Sequence, residues 1–171
     1  RSGSVSAESE RISPDASTFG GDWPTDAEAY EPQRIVAAVS AAGVVGLGGA
    51  AFPTHVKLAP PKEFSVHTLI INGAECEPYL TSDHRTMVEY PARVHFGARV
   101  MMHALGVTKC VIGVEKNKPD AIAALNATIP QDLDITVLPL TVKYPQGAEK
   151  MLIKSVTGVS RLSRRFRVSA S

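Results

Sequence analysis

Three segments of the sequence carry residue types and spacings that suit nucleotide binding. The first, residues 46–57, reads GLGGAAFPTHVK. Its glycines leave backbone N–H groups free to approach a phosphate, and Lys57 can neutralise part of the phosphate charge. The spacing formally satisfies G-x-G-x-x-A, but that fingerprint requires a preceding strand, and a helix is expected here. A tight connector between helices therefore stays open as an alternative to a nucleotide site.

The second segment, residues 72–79, reads NGAECEPY and follows a short β-branched run. Its carboxylates and carboxamide can accept hydrogen bonds from ribose hydroxyls or ring N–H groups. A solvated acidic loop is the alternative. A third segment, residues 144–150, reads YPQGAEK. It offers free backbone donors and an aromatic face, although a simple helix N-terminus would look the same.

No side chain is assigned as a catalytic acid, base or nucleophile. Cys76 has no base fixed to it by spacing, so packing explains it better than catalysis does. Neither cysteine has a second cysteine at metal-ligand spacing, and the five histidines contain no H-x-x-x-H pair, so we expect no metal site. Two cysteines also indicate a reduced, cytosolic setting.

The elements that must position these segments alternate between helices and strands. Strands are expected over residues 66–71, 109–114 and 135–138, and helices over residues 32–42, 83–90, 91–105, 117–129 and 145–156. This order predicts an α/β fold with a Rossmann-like parallel sheet and flanking helices. Ligands of such sheets bind at the carboxyl ends of the strands, where the second and third segments are expected.

Length and composition limit which classes of protein the chain can belong to. The chain has 171 residues, of which 44% are hydrophobic and 20% charged, and its 18 basic residues nearly balance 17 acidic ones. One folded domain is therefore expected, and nucleic-acid binding is disfavoured. Residues 35–56 contain no Asp, Glu, Lys or Arg, but their dense glycines and Pro53 argue against a transmembrane segment. We expect an irregular arm over residues 1–30, an α/β domain over 31–158 and a divergent basic tail over 159–171.

Four motifs together resemble the C component of the Rnf electron-transport complex, an ion-translocating oxidoreductase. They are GLGGAAFPTHVKL (46–58), LIINGAECEPYLTSDHRTM (69–87), VIGVEKNKPDAI (111–122) and YPQGAEKMLIKSVTG (144–158). The resemblance covers residues 35–158. The same domain is similar to the NADH-binding flavoprotein subunit of respiratory complex I and to cobalamin reductases.

The resemblance implies a non-covalent FMN that accepts hydride from NADH, so the flavin would carry the chemistry. By motif, the residues expected at the flavin phosphate and ring are Gly46, Gly48 and Lys57, and those lining the flavin are Asn72, Ala74 and Glu75. The nicotinamide nucleotide would contact Gly49, Ala50 and Phe52, its ribose would meet Glu77, and the pocket would be closed by Tyr144, Gly147 and Glu149.

The resemblance also implies partners and a location. The expected partners are NADH and the other subunits of an Rnf-type membrane complex, at the cytoplasmic, inner face of the bacterial plasma membrane. The family's 4Fe-4S clusters belong to a C-terminal part that is absent from this chain, so we expect a piece of a longer subunit. Two alternatives stay open: a cobalamin reductase-like flavoprotein, and a non-catalytic nucleotide-binding module that has lost the flavin.

Overall fold

The sequence folds into helices alternating with parallel strands. A computed structural model describes residues 26–46, 51–61, 63, 65–75, 79–158 and 166–169. A short 3-10 helix (Ala27–Ala29) precedes the longer elements. The helices are α1 (Pro32–Ala41), α2 (Thr54–Leu58), α3 (Ser82–Glu89), α4 (Pro91–Leu105), α5 (Pro119–Ala127) and α6 (Glu149–Thr157). The strands are β1 (Thr68–Gly73), β2 (Lys109–Glu115), β3 (Asp134–Leu140) and β4 (Phe166–Ser169).

The four strands form one parallel sheet in the order β3-β2-β1-β4. β1 is an inner strand, because Ile70 lies opposite Val111 of β2 on one side and Val168 of β4 on the other. Parallel neighbours need crossover connections, which the intervening helices supply. The expected Rossmann-like α/β fold is confirmed.

Alternating side chains of the strands build a core on each face of the sheet. Leu69 and Ile112 belong to the larger core, which also contains residues of α3, α4 and α5. Ile70 belongs to the smaller core, together with Leu152 and Ile153 of α6. Successive strand residues point to opposite faces, so these adjacent positions of β1 are fully buried against different helices.

Local sequence signals set the ends of α4 as expected. Pro91 occupies its first turn, where the missing N–H costs nothing, and it separates α3 from α4. The helix stops at Gly106, whose φ of 66° is left-handed and suits glycine.

Three elements differ from the sequence expectations. The closing helix begins at Glu149 rather than Pro145, because the amides of Gln146 and Ala148 bond to carbonyls within residues 143–145 and form turns instead. The region after the glycines contains α2, whose five residues are too few to give a helical period. Residues 166–169, expected in a tail outside the domain, pair with β1 as β4.

None of the helices in the described ranges combines the length and the hydrophobicity that crossing a membrane requires.

Replacement of Gly113 by alanine should destabilise the domain by about 1–3 kcal/mol, the usual cost of overpacking a core. A methyl group there would lie 2.8 Å from Leu152 Cδ1 and 2.9 Å from Leu140 Cδ1, so the ends of both leucine side chains would have to move away from their present rotamers. Denaturant unfolding followed by circular dichroism measures the change. Gly97→Ala is the matched control, since an added methyl group there contacts nothing within 4 Å. Equal stability of the Gly113 variant and wild type would contradict this packing.

Candidate functional site

The loop that follows α1 is closed at its base by backbone pairing. Val45 and Pro53 form an antiparallel bridge, the Gly46 amide donates to the Phe52 carbonyl at 3.0 Å, and the Thr54 amide donates to the Val44 carbonyl at 3.0 Å. The chain returns through Ala51, whose φ of 46° lies in the left-handed region that L residues rarely adopt. Both ends of the loop are thus fixed. The expected contacts Gly48, Gly49 and Ala50 lie outside the described residues.

Lys57 extends from α2 beside this loop. Its Nζ is 5.5 Å from the centre of the Phe52 ring, within the range of a cation–π contact. Among the described residues, no carboxylate lies within salt-bridge distance of this ammonium group. Lys57 is half-buried and keeps its hydrogen-bond donors available for an anion.

Asn72 joins two of the segments that the sequence singled out. Its Nδ2 donates to the Gly147 carbonyl at 2.9 Å, although the two residues are far apart in the chain. Its Oδ1 accepts from the Ala74 amide at 3.2 Å. The end of β1 and the turn before α6 are therefore held together, as expected for residues at the carboxyl edge of a parallel sheet.

Glu75 is buried, and its carboxylate faces the first turn of α3. The Asp83 amide donates to Oε1 at 3.0 Å and the His84 amide donates to Oε2 at 3.4 Å, while the Ser82 hydroxyl lies 3.5 Å from Oε1. These contacts cap the helix from outside its own sequence, and a negative charge is favourable at that end of a helix dipole. Glu77, expected at a ribose, lies outside the described residues.

Apart from Gln146, the third segment presents its side chains to solvent. Tyr144 is 78% exposed, so its ring is available to a ligand. Glu149 is the first residue of α6 and is also exposed. Among the described parts of the chain, no hydrogen bond or ion pair connects this segment to the group formed by Gly46, Phe52 and Lys57. The described candidates thus form two separate groups. One contains Gly46, Phe52 and Lys57, and the other contains the residues at the end of β1 and in the turn before α6.

Sequence reasoning missed a buried ion pair at the end of β2. Lys118 Nζ lies 2.8 Å from Glu115 Oε2, and the two side chains are only 9% and 2% exposed. The ammonium group also donates to the Glu75 carbonyl at 3.3 Å. The spacing of opposite charges by three residues just beyond a buried strand was an available signal.

Gln146 was also missed, because nothing in its sequence context separates it from the exposed residues beside it. Its side chain is fully buried, and Nε2 donates to the Ser155 hydroxyl at 2.9 Å. Its Oε1 has no hydrogen-bond partner among the described residues. The Gln146–Ser155 hydrogen bond links the turn before α6 to the helix itself. The buried Oε1 of Gln146 can still accept a hydrogen bond from another group.

Cys110 takes no part in the site. Burial within the larger core raises the pKa of its thiol to about 12, so the reactive thiolate is nearly absent at neutral pH. Across the described residues, no group of three or more histidine, cysteine or acidic side chains is arranged to hold a metal ion. The site can therefore bind and orient a ligand through backbone groups, amides and a cation.

Comparison with known families matches residues 39–169 to the Nuo51 FMN-binding domain. Among curated relatives, the C component of the Na(+)-translocating ferredoxin:NAD(+) oxidoreductase complex of Acetobacterium woodii is 48% identical over 149 residues, which are 87% of this chain and 32% of the relative. The C component of the ion-translocating oxidoreductase complex of Rhodobacter capsulatus is 47% identical over 130 residues, 74% of this chain and 25% of that protein. These relatives confirm the resemblance indicated by the four motifs.

Solved structures give the same result for the fold. The NAD+-reducing [NiFe]-hydrogenase in its H2-reduced state matches with a TM-score of 0.63 and 29% identity, covering 85% of this chain and 26% of that chain. The air-oxidised state matches with the same TM-score and 28% identity. The chain spans about a third or less of the length of the curated relatives named above.

Proposed function

The chain belongs to the Nuo51 FMN-binding domain family, and from that premise we propose that it binds FMN non-covalently and accepts hydride from NADH. The observation that carries the proposal is the family match over residues 39–169, a range that includes every candidate site residue. The names of the relatives, which are subunits of NAD+-linked or ion-translocating oxidoreductase complexes, support an oxidoreductase role.

The residues present fit the phosphate of FMN. Lys57 supplies an ammonium group without a carboxylate partner in the described part of the chain, and a charge-assisted hydrogen bond to phosphate is among the stronger polar contacts. The loop beside it is rich in glycine, so a phosphate can reach its backbone. We assign Gly46, Gly48 and Lys57 to the phosphate and ring of the flavin. The Gly46 amide already donates to the Phe52 carbonyl, so Gly46 would contribute by close approach of its backbone rather than as an N–H donor.

The remaining candidates suit the flavin ring and the nicotinamide nucleotide. Asn72, Ala74 and Glu75 would line the flavin, and the Asn72–Gly147 hydrogen bond holds these residues next to the segment that would close the pocket. FMN, when bound, supplies a ring that accepts hydride.

The chain's own contribution is to orient the two nucleotides and to exclude water. Gly49, Ala50 and Phe52 would contact the nicotinamide nucleotide, and Glu77 its ribose. Tyr144, Gly147 and Glu149 would close the pocket, and the exposed Tyr144 ring is available for stacking.

The proposal extends to longer proteins of the kind that the relatives represent, in which this domain is one part. There, electrons would pass from FMN to iron–sulfur centres outside this chain and then to partner subunits of an Rnf-type complex. Such a protein would lie at the cytoplasmic, inner face of the bacterial plasma membrane.

The purified chain should retain FMN. After incubation with FMN and gel filtration, we expect flavin absorbance to elute with the protein, and we expect NADH to bleach that absorbance under anaerobic conditions. Incubation with an adenine nucleotide alone is the control for nonspecific retention. Colourless protein would contradict the proposal and favour a nucleotide-binding module without flavin. Retained flavin that NADH leaves oxidised would limit the proposal to FMN binding.

A further inference from the structure

A buried ammonium group links the carboxyl ends of the two inner strands. Lys118 Nζ donates to Glu115 Oε2 at 2.8 Å and to the Glu75 carbonyl at 3.3 Å. Glu115 ends β2, and Glu75 comes just after β1. All three residues are buried, with 7% or less of each exposed. The ammonium group therefore connects residues of two different strand ends.

Glu75 is held at both its backbone and its side chain. Lys118 holds the carbonyl, while the carboxylate accepts hydrogen bonds from the Asp83 and His84 amides at the start of α3. The position of Glu75 thus depends on contacts from Lys118, the residue just before α5, and from α3, not only on its neighbours in the chain. Because Asn72 and Ala74 lie on the same short stretch, whatever fixes Glu75 also limits where they can move.

An ion pair in the interior is a poor source of stability. The cost of removing both charges from water often cancels their attraction, and apolar side chains of similar size serve as well or better. Lys118 differs from an apolar side chain in that its ammonium group donates hydrogen bonds to both a carboxylate and a backbone carbonyl. These hydrogen bonds fix the position of the Glu75 carbonyl, which an apolar side chain cannot do.

We propose that Lys118 is a positioning residue for the flavin site: through the Glu75 carbonyl it holds the 72–75 segment in place to receive the flavin ring. This inference rests on the proposed FMN binding. Lys118 itself need not touch the flavin, because it acts through Glu75.

The test replaces the ion pair by apolar residues, in the double variant Glu115→Leu/Lys118→Met. Amide hydrogen exchange by NMR is the first measurement, and it requires no flavin. We expect the Asp83 and His84 amides to exchange about tenfold faster, because their acceptor loses its anchor, while the amides of β3 keep their wild-type rates. Unchanged exchange at Asp83 and His84, or equal acceleration in β3, would overturn the proposal.

The second measurement is the flavin itself. At a temperature where the double variant and wild type are both fully folded, we expect the Kd for FMN to rise about tenfold and the midpoint potential of the bound flavin to shift. Lys116→Met is the matched control, since Lys116 is exposed on the same connection. Wild-type affinity and potential in the double variant would overturn the positioning role.

The two proposals fail in different ways. Wild-type protein that retains no FMN would refute the proposed function, whereas the exchange measurement would still decide whether Lys118 anchors Glu75. If the Glu115→Leu/Lys118→Met variant does not fold, the same measurements are made on Glu115→Gln/Lys118→Gln. That pair keeps a neutral hydrogen bond, and its shorter glutamine does not reach the Glu75 carbonyl as lysine does.

Discussion

Replacement of Glu115 alone by leucine is expected to lower the free energy of unfolding by about 3–5 kcal/mol. The variant leaves the ammonium group of Lys118 in the interior, where its side chain is 9% exposed, with only the Glu75 carbonyl as a partner. Such a buried charge is costly because it has lost its hydration and has no opposite charge to compensate for it. Guanidinium unfolding followed by circular dichroism measures the loss.

The double variant Glu115→Leu/Lys118→Met separates the cost of one lone charge from the value of the pair. Because neither charge remains, we expect its stability to return to near the wild-type value, and a double-mutant cycle should give a large coupling energy. The cycle compares wild type, Glu115→Leu, Lys118→Met and the double variant. The denaturant slope should be the same in all four proteins, which would indicate that each exposes the same surface on unfolding. A Glu115→Leu variant within about 1 kcal/mol of wild type would contradict burial of the pair.

Replacement of Lys57 by alanine is expected to weaken FMN binding by about 10–100-fold, which corresponds to one charge-assisted hydrogen bond. The effect should disappear with riboflavin, which has the same ring but no phosphate. Fluorescence titration with both ligands measures the two affinities. A variant that loses affinity equally for FMN and riboflavin would exclude a phosphate role for Lys57.

Lys109 provides the matched control for this measurement. It is also a lysine near the protein surface, and its Nζ lies 4.0 Å from Asp134 Oδ2. Because it begins β2, it lies at the amino ends of the strands, away from the carboxyl ends where Asn72 and Glu75 are found. Lys109→Ala should bind FMN as wild type does. A similar loss in both variants would point to the overall charge of the protein rather than to a local phosphate contact.

The inner part of the fold could be predicted from local sequence signals. β-branched runs predicted β1, β2 and β3, and Pro91 and Gly106 predicted the limits of α4, because each signal acts within a few residues. β4 could not be predicted in this way. Its four residues are too few to show alternation, and they belong to the sheet only because β1 has a free side to pair with.

The candidate site was predictable in its motifs but not in its connections. The sequence placed Asn72 and Gly147 at the carboxyl ends of the strands, and the structure adds the hydrogen bond between them. It did not indicate that the Glu75 carboxylate caps α3, since the partner amides belong to a different element. Lys118 was missed for the same reason, because its role depends on a carbonyl brought near only by the folded sheet.

The pairing of β1 also sets an order of events while the protein is being synthesised. Thr68 lies opposite Lys109 on one side and opposite Phe166 on the other, so one partner is made soon after β1 and the other much later. Until Phe166–Ser169 have left the ribosome, β1 has unpaired backbone groups along one side. A nascent chain arrested before residue 166 is therefore an open-edged intermediate, prone to pair with another copy or to be held by a chaperone.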